Sequence, residues 1–182
     1  ATTFGSLSSD SAKWSGGVLA PNGKIYGIPR NATQVLEIDP IAQTATTFGS
    51  LSSDSAKWYG GVLAPNGKIY GVPYHSGTIL EIDPITKGIT TFGSTTGLGK
   101  WSGGVLAPNG KIYCIPCNAV QILEIDPTTK QISLFGNFSS NTDKYYGGVL
   151  APNGKIYGIP YIAGQILEIQ IMNYLSPYFN KF

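Results

Sequence analysis

Apolar residues along the chain fall into short runs of strand length, four to a unit, and the unit returns four times. In the second unit the runs are residues 59–64, 68–73, 79–82 and 89–92, and Glu81 alternates with Leu80 and Ile82 as on a strand with two different faces. Turn chemistry separates them. Pro65-Asn66-Gly67 carries the Asn-Gly pair of a two-residue hairpin, and Asp83-Pro84 opens a second turn that ends at Lys87-Gly88. Four antiparallel strands in a meander make one propeller blade.

The frame GGVLAPNGKIY, followed by LEI, recurs with its tyrosines at Tyr26, Tyr70, Tyr113 and Tyr157, at spacings of 44, 43 and 44 residues. That is close to the length of a blade. The pattern predicts an all-β protein: a four-bladed β-propeller of four-stranded antiparallel blades, one domain over residues 1–182. Its blades cover about residues 14–50, 58–94, 101–137 and 145–170 plus 1–6, with a tail at 171–182. Inner strands converge on the axis, where bulk is least tolerated. The runs opening with Gly16, Gly60, Gly103 and Gly147 are therefore expected innermost, and those ending at Phe4, Phe48, Phe92 and Phe135 outermost.

Closure is the open point of this architecture. The segment Thr2-Thr3-Phe4-Gly5 has no blade before it, and Phe179 lies 44 residues after Phe135. Both cannot complete the last blade. The N-terminal segment matches the internal copies and Pro177 lacks a ladder donor, so the expected closure pairs residues 2–5 with residues 165–169. The alternative is an eight-bladed ring from a strand-exchanged homodimer.

Comparison of the units with one another singles out one face. Residues 1–44 and 45–88 differ at 11 positions, and 7 of these lie between residues 28 and 35. This places the variation in the loop after Pro29, Pro73, Pro116 and Pro160, opposite the Pro-Asn-Gly and Asp-Pro turns. Variation gathered in one loop of a constant frame suggests a recognition face.

Composition narrows the partners. Only 12% of residues are charged and the net charge of +2 comes from scattered lysines, with no basic block to track phosphates, so nucleic acid is not expected. No apolar stretch approaches the ~20 residues of a membrane-spanning helix, and no leader pattern opens the chain. A soluble protein without a membrane partner is expected. Its start at Ala1 rather than Met suits a processed form or an excised piece and leaves the compartment unread. Cys114 and Cys117 sit three apart on one strand, pointing to opposite faces, and are expected as free thiols.

The segments Leu80-Glu81-Ile82-Asp83-Pro84-Ile85-Thr86-Lys87-Gly88-Ile89-Thr90-Thr91-Phe92 and Ala107-Pro108-Asn109-Gly110-Lys111-Ile112-Tyr113 resemble the blade repeat of streptogramin-lyase-like propellers. The resemblance covers every unit. It implies a propeller fold; members of that family have about seven blades and use a catalytic histidine with acidic groups and Mg²⁺. His75 is the only histidine here, in a loop where other units have Asn31, Asn118 and Ile162, so no catalytic residue carries over.

Candidate binding residues lie on the variable face. A Lys-aromatic pair precedes each inner strand: Lys13-Trp14, Lys57-Trp58, Lys100-Trp101 and Lys144-Tyr145. Arg30, Tyr74 and Tyr161 end the second strands, with Asn31, His75 and Asn118 beside them. Aromatic faces stack on sugar rings and cations hold anions, which points to a non-enzymatic, lectin-like module for a glycan or a protein, without metal or cofactor. The competing reading has the indoles wedged between blades and the lysines paired with Glu37, Glu81, Glu124 and Glu168 or solvated. A protein-interaction scaffold without a small-molecule site is the alternative function, and a lyase-like enzyme the third.

Overall fold

The structure, a computed structural model, describes residues 1–171. It is all-β. Blade 1 holds β1 (Trp14–Leu19), β2 (Ile25–Pro29), β3 (Val35–Asp39) and β4 (Thr44–Phe48); blade 2 holds β5 (Trp58–Leu63), β6 (Ile69–Pro73), β7 (Ile79–Ile82) and β8 (Ile89–Phe92). Blade 3 holds β9 (Trp101–Leu106), β10 (Ile112–Pro116), β11 (Ile122–Ile125) and β12 (Ile132–Phe135), and blade 4 holds β13 (Tyr145–Leu150), β14 (Ile156–Pro160) and β15 (Leu167–Ile169). Each sheet is an antiparallel meander in chain order.

The glycine doublet makes the inner strand possible in two ways. Register shifts by a bulge between Trp14 and Gly17, where Gly16 adopts a φ of 77° that a side chain would strain. At the same position in blade 3, a Cβ on Gly103 would lie 3.0 Å from the Cα of Gly147. Inner strands thus pack backbone to backbone, β1 on β5, β5 on β9 and β9 on β13, as their lack of bulk predicts.

Hydrophobic cores form between blades. Val18, Tyr26, Ile28 and Val35 of blade 1 join Trp58, Ile69, Leu80 and Ile82 of blade 2, and equivalent residues build the cores between blades 2 and 3 and between blades 3 and 4. A polar staple reinforces the first two joints at the turn face. The Asn22 carboxamide donates to the Tyr26 hydroxyl at 2.9 Å; that hydroxyl points between a Glu37 oxygen at 3.1 Å and the Pro84 carbonyl of the next blade at 3.2 Å. Glu37 also accepts from Lys24 at 2.8 Å and from Lys87 of blade 2 at 3.3 Å. The glutamates are structural, as their alternation suggests, but their lysine partners come from the hairpins and Asp-Pro turns. Cys114 and Cys117 are both free and buried.

Among the described residues the fourth sheet has three strands, and residues 2–5 form no ladder with residues 165–169. The N-terminal segment packs instead beside β4, where a Cβ on Gly5 would lie 2.9 Å from the Ala45 Cβ. Leu19 of blade 1 is 62% exposed and Ile159 of blade 4 is 50% exposed. The rival outer strand around Phe179 lies outside the described residues.

Burial pushes the Glu81 carboxyl up, but bonds from Lys68, Lys130 and Tyr70 outweigh this and hold it below the usual carboxylate range, as their equivalents do for Glu37. A folded-state pKa below the unfolded value of about 4.3 contributes stability that is complete above that pH and lost as pH falls through the folded value. Urea-unfolding midpoints should therefore drop in acid below about pH 4.3. Glu81→Ala should cost about 3 kcal/mol at neutral pH by stranding its buried partners, whereas Glu168→Gln, at an exposed site, should leave the midpoint where it is.

Candidate functional site

The variable face is built by the second-to-third strand loops and the long connections between blades. In each connection a lysine turns inward. Lys57 Nζ donates to the carbonyls of Asp54 at 2.8 Å and Asn31 at 3.4 Å, Lys144 to Asn141 at 2.8 Å, and Lys13 to Ser8. Lys100 reaches three carbonyls: Ser76 and Gly97 at 2.9 Å and Tyr74 at 3.3 Å. Burial pulls the Lys100 pKa down to about 8 and lowers those of Lys57 and Lys144 in the same way.

The indoles beside them are equally committed. Nε1 of Trp14, Trp58 and Trp101 donates to the carbonyls of Gln34, Thr78 and Gln121 at 2.8 to 2.9 Å. Trp58 and Trp101 are 3% exposed and Tyr145 is buried as well. The Lys-aromatic pairs therefore clamp the loops and seal the joints. Neither carboxylate pairing nor solvation describes Lys57, Lys100 and Lys144, because backbone carbonyls take all their bonds described here.

Asn31 and Asn118 play a related part. Their side-chain oxygens accept from the backbone of Ala56 at 2.8 Å and Asp143 at 2.7 Å, residues held at φ of 53° and 52°. Around the four clamps run four grooves of 330 to 470 Å³, one per blade.

What is left for a ligand gathers at the mouth of the axis. Tyr59 of β5 and Tyr146 of β13 come from alternate blades and meet with ring centroids 6.2 Å apart. Tyr59 also packs on Tyr74 at 5.4 Å, and Tyr146 on Tyr161 at 4.8 Å. His75 stacks on Tyr74 at 4.9 Å, and the Arg30 guanidinium lies 5.5 Å from the Tyr59 ring centre. Arg30 Nε is buried with no hydrogen-bond partner among the described residues. The Tyr146 hydroxyl donates to Asp143 Oδ1 at 3.0 Å, and the Cys117 thiol points to the same oxygen at 3.5 Å.

Burial raises the pKa of Tyr74 and of Tyr146, the latter helped by its bond to Asp143, so both hydroxyls stay protonated donors. His75 is lowered by burial and then by the charges of Lys100 and Arg30, so it is neutral at pH 7. The cluster offers aromatic faces, phenol donors, one cation and one carboxylate.

Of the sequence candidates, the structure brings Arg30, Tyr74, His75 and Tyr161 into this cluster. Tyr59, Tyr146, Asp143 and Cys117 were missed. Tyr59 had a signal: outside residues 28–35 and the turn tip, Ser15 against Tyr59 is the one difference between the first two units. Ser15, Tyr59, Ser102 and Tyr146 alternate small and large at one repeat position, and the contact between the two tyrosines appears only in the structure.

The arrangement of blades has clear counterparts. Virginiamycin B lyase from Staphylococcus aureus superposes with a TM-score of 0.69 at 16% identity, over 94% of this chain and 59% of that one. The chain is a β-propeller repeat protein. Hydrazine synthase from Kuenenia stuttgartiensis matches with a TM-score of 0.65 at 16% identity, over 90% of this chain and 47% of its own. An auxiliary nutrient binding protein from Bacteroides thetaiotaomicron matches at 0.57 and 19% identity, over 79% of this propeller and 44% of its own chain. No protein-family model and no curated relative matches the sequence. The propeller spans only 59% of the lyase's length, and likeness at these identities concerns the fold.

Clamp and platform separate by stability. Trp101→Ala should lower unfolding free energy by about 3 to 5 kcal/mol, while Tyr161→Ala should change it by less than about 0.5 kcal/mol; urea melts of the two variants provide the check.

Proposed function

We propose that the chain is a ligand-binding propeller that acts without catalysing a reaction, and that its site is the tyrosine cluster at the mouth of the axis. The observation that carries this reading is the row of contacts Tyr74–Tyr59–Tyr146–Tyr161, with Arg30 and Asp143 at its edge. Packing between blades does not require these rings. At the same two axial positions the other blades carry Ser15 and Ser102.

Glycans are the ligand class that suits the cluster. Sugar rings present apolar C–H faces to tyrosine rings and hydroxyls to phenols, a guanidinium and a carboxylate. An acidic sugar would add a charge for Arg30, whose Nε is without a partner in its buried position. The existence of nutrient-binding and lyase neighbours is compatible with a ligand on such a fold and selects none.

A scaffold for other proteins is the second reading, favoured by the exposure of Tyr161 at 68% and Ile162 at 59% on the same face. A glycan array followed by titration calorimetry distinguishes them. Binding should appear on the array, and Tyr59→Ala and Tyr146→Ala should each weaken it about tenfold with the fold intact. Silence across neutral and acidic sugars would sink the glycan reading and shift the weight to the scaffold.

A further inference from the structure

We infer that the groove of blade 3 is a second binding site, for a small uncharged molecule that joins an apolar ring to a hydroxyl. Blade 3 stands between blades 2 and 4, and its groove of 370 Å³ runs between the connection that enters the blade and the loop around Asn118 and Val120, with Trp101 in its lining. That volume suits a small ligand, since such pockets usually hold about 300 to 1,000 Å³. None of the clustered tyrosines lines it.

The repeat shows what is particular to this groove. Leu51, Thr95 and Phe138 each donate a backbone N–H to the preceding blade's loop, at the carbonyls of Thr33, Gly77 and Val120, so Val120 stands where the other blades have Thr or Gly. Lys57 and Lys100 each bond the carbonyl three residues before them, Asp54 and Gly97, which sets Leu98 at the place of Ser55. Leu134 faces Leu123 across the outer strands, as Thr47 faces Leu36 and Thr91 faces Leu80. Three separate elements thus exchange a small or polar residue for an aliphatic one, and all three side chains line the same groove.

Folding does not call for them there. Leu98, Val120 and Leu134 are 68%, 41% and 47% exposed and belong to none of the three shared cores. Apolar side chains gathered in one exposed place mark a surface that meets something else.

The groove's polar chemistry narrows the ligand. Where Leu51 and Phe138 pack against shared cores, blade 3 has Thr95, which lines the groove with its hydroxyl buried and without a partner among the described residues. A buried hydroxyl left unbonded is costly, and a hydroxyl on the ligand supplies the missing bond. Charge is absent for a different reason. Asp10 and Asp54 line the grooves of blades 1 and 2, whereas Gly97 takes that place here, in a connection one residue shorter than its counterparts. Lys100, the ionisable side chain of the lining, gives its described bonds to the carbonyls of Tyr74, Ser76 and Gly97. The lining therefore offers apolar walls and a hydroxyl, and nothing that favours a charged ligand.

Methyl NMR spectra of the full chain, titrated with p-cresol and with toluene, test this. p-Cresol should shift the methyl signals of Leu98, Val120 and Leu134 saturably, and toluene, the same ring without the hydroxyl, should bind about fivefold more weakly. Leu134→Thr and Leu98→Ser install the residues of the sister blades, so both variants should fold, and each should weaken p-cresol about fivefold. Thr95→Val keeps the shape and removes the hydroxyl; p-cresol should then bind no better than toluene, with toluene unchanged. The proposal fails if neither probe shifts these methyls, which would leave the groove to an apolar side chain of a partner protein. It fails equally if Leu134→Thr and Leu98→Ser bind p-cresol as the wild type does, or if the preference for p-cresol survives in Thr95→Val.

Discussion

Each hydrophobic core among the described residues is shared, part from one blade and part from the next. Ile28 and Val18 are covered only because blade 2 lies against them, and Trp58 and Leu80 only because blade 1 does. Burying a side chain such as Ile28 is worth about 1.5 to 3 kcal/mol, and no blade collects that alone. The glycine doublets follow from the same constraint, since inner strands that approach backbone to backbone leave no space for Cβ atoms. So do the turn-face staples. Tyr26, Asn22 and Glu37 would be polar groups stranded at the edge of a core if Pro84 and Lys87 of the neighbour did not complete their bonds.

A shared core also explains what could be read from the sequence and what could not. Hairpins, turns and strand order are local, written in Asn-Gly pairs, Asp-Pro pairs and the position of least bulk, and the strands formed where those signals stood. Closure is a sum of three joint angles, and no residue type encodes it. The N-terminal Thr-Thr-Phe-Gly reads as an outer strand, yet among the described residues it forms no ladder with residues 165–169. The meeting of Tyr59 with Tyr146 was illegible for a similar reason. They lie 87 residues apart in the chain and meet only because alternate inner strands face each other near the axis.

The lysines carry a different lesson. A lysine and an aromatic before every inner strand read as a binding pair or as a partner for the glutamates. The structure gives the glutamates to Lys24, Lys68, Lys111 and Lys155, each two residues before the tyrosine that pairs with the glutamate. That leaves Lys57 and Lys100 at the opposite face, where several loop carbonyls converge. An ammonium with three donors satisfies several such carbonyls at once, whereas a strand ladder could not reach them. The clamp is thus the means by which a loop of variable sequence is held at a fixed place.

This division lets the repeat vary without losing its fold. Of the differences between the first two units, Ile28 against Val72 and Val35 against Ile79 fall in the shared core, and both keep an apolar branched side chain. The others fall at the loop tip, at the Asp-Pro turn and at the axial mouth. Ile28 must fit against Gly61 and Gly71 of the next blade, so joint residues are constrained in pairs, and near-identical units are the simplest way to satisfy every joint together. Positions 30 to 34 and 15 put no side chain into a shared core, although Arg30 and Asn31 bond to the connection that enters the next blade. Arg30, Tyr59 and Tyr74 could therefore be brought to one opening while the clamps beneath them, and the cores below those, stayed the same from blade to blade.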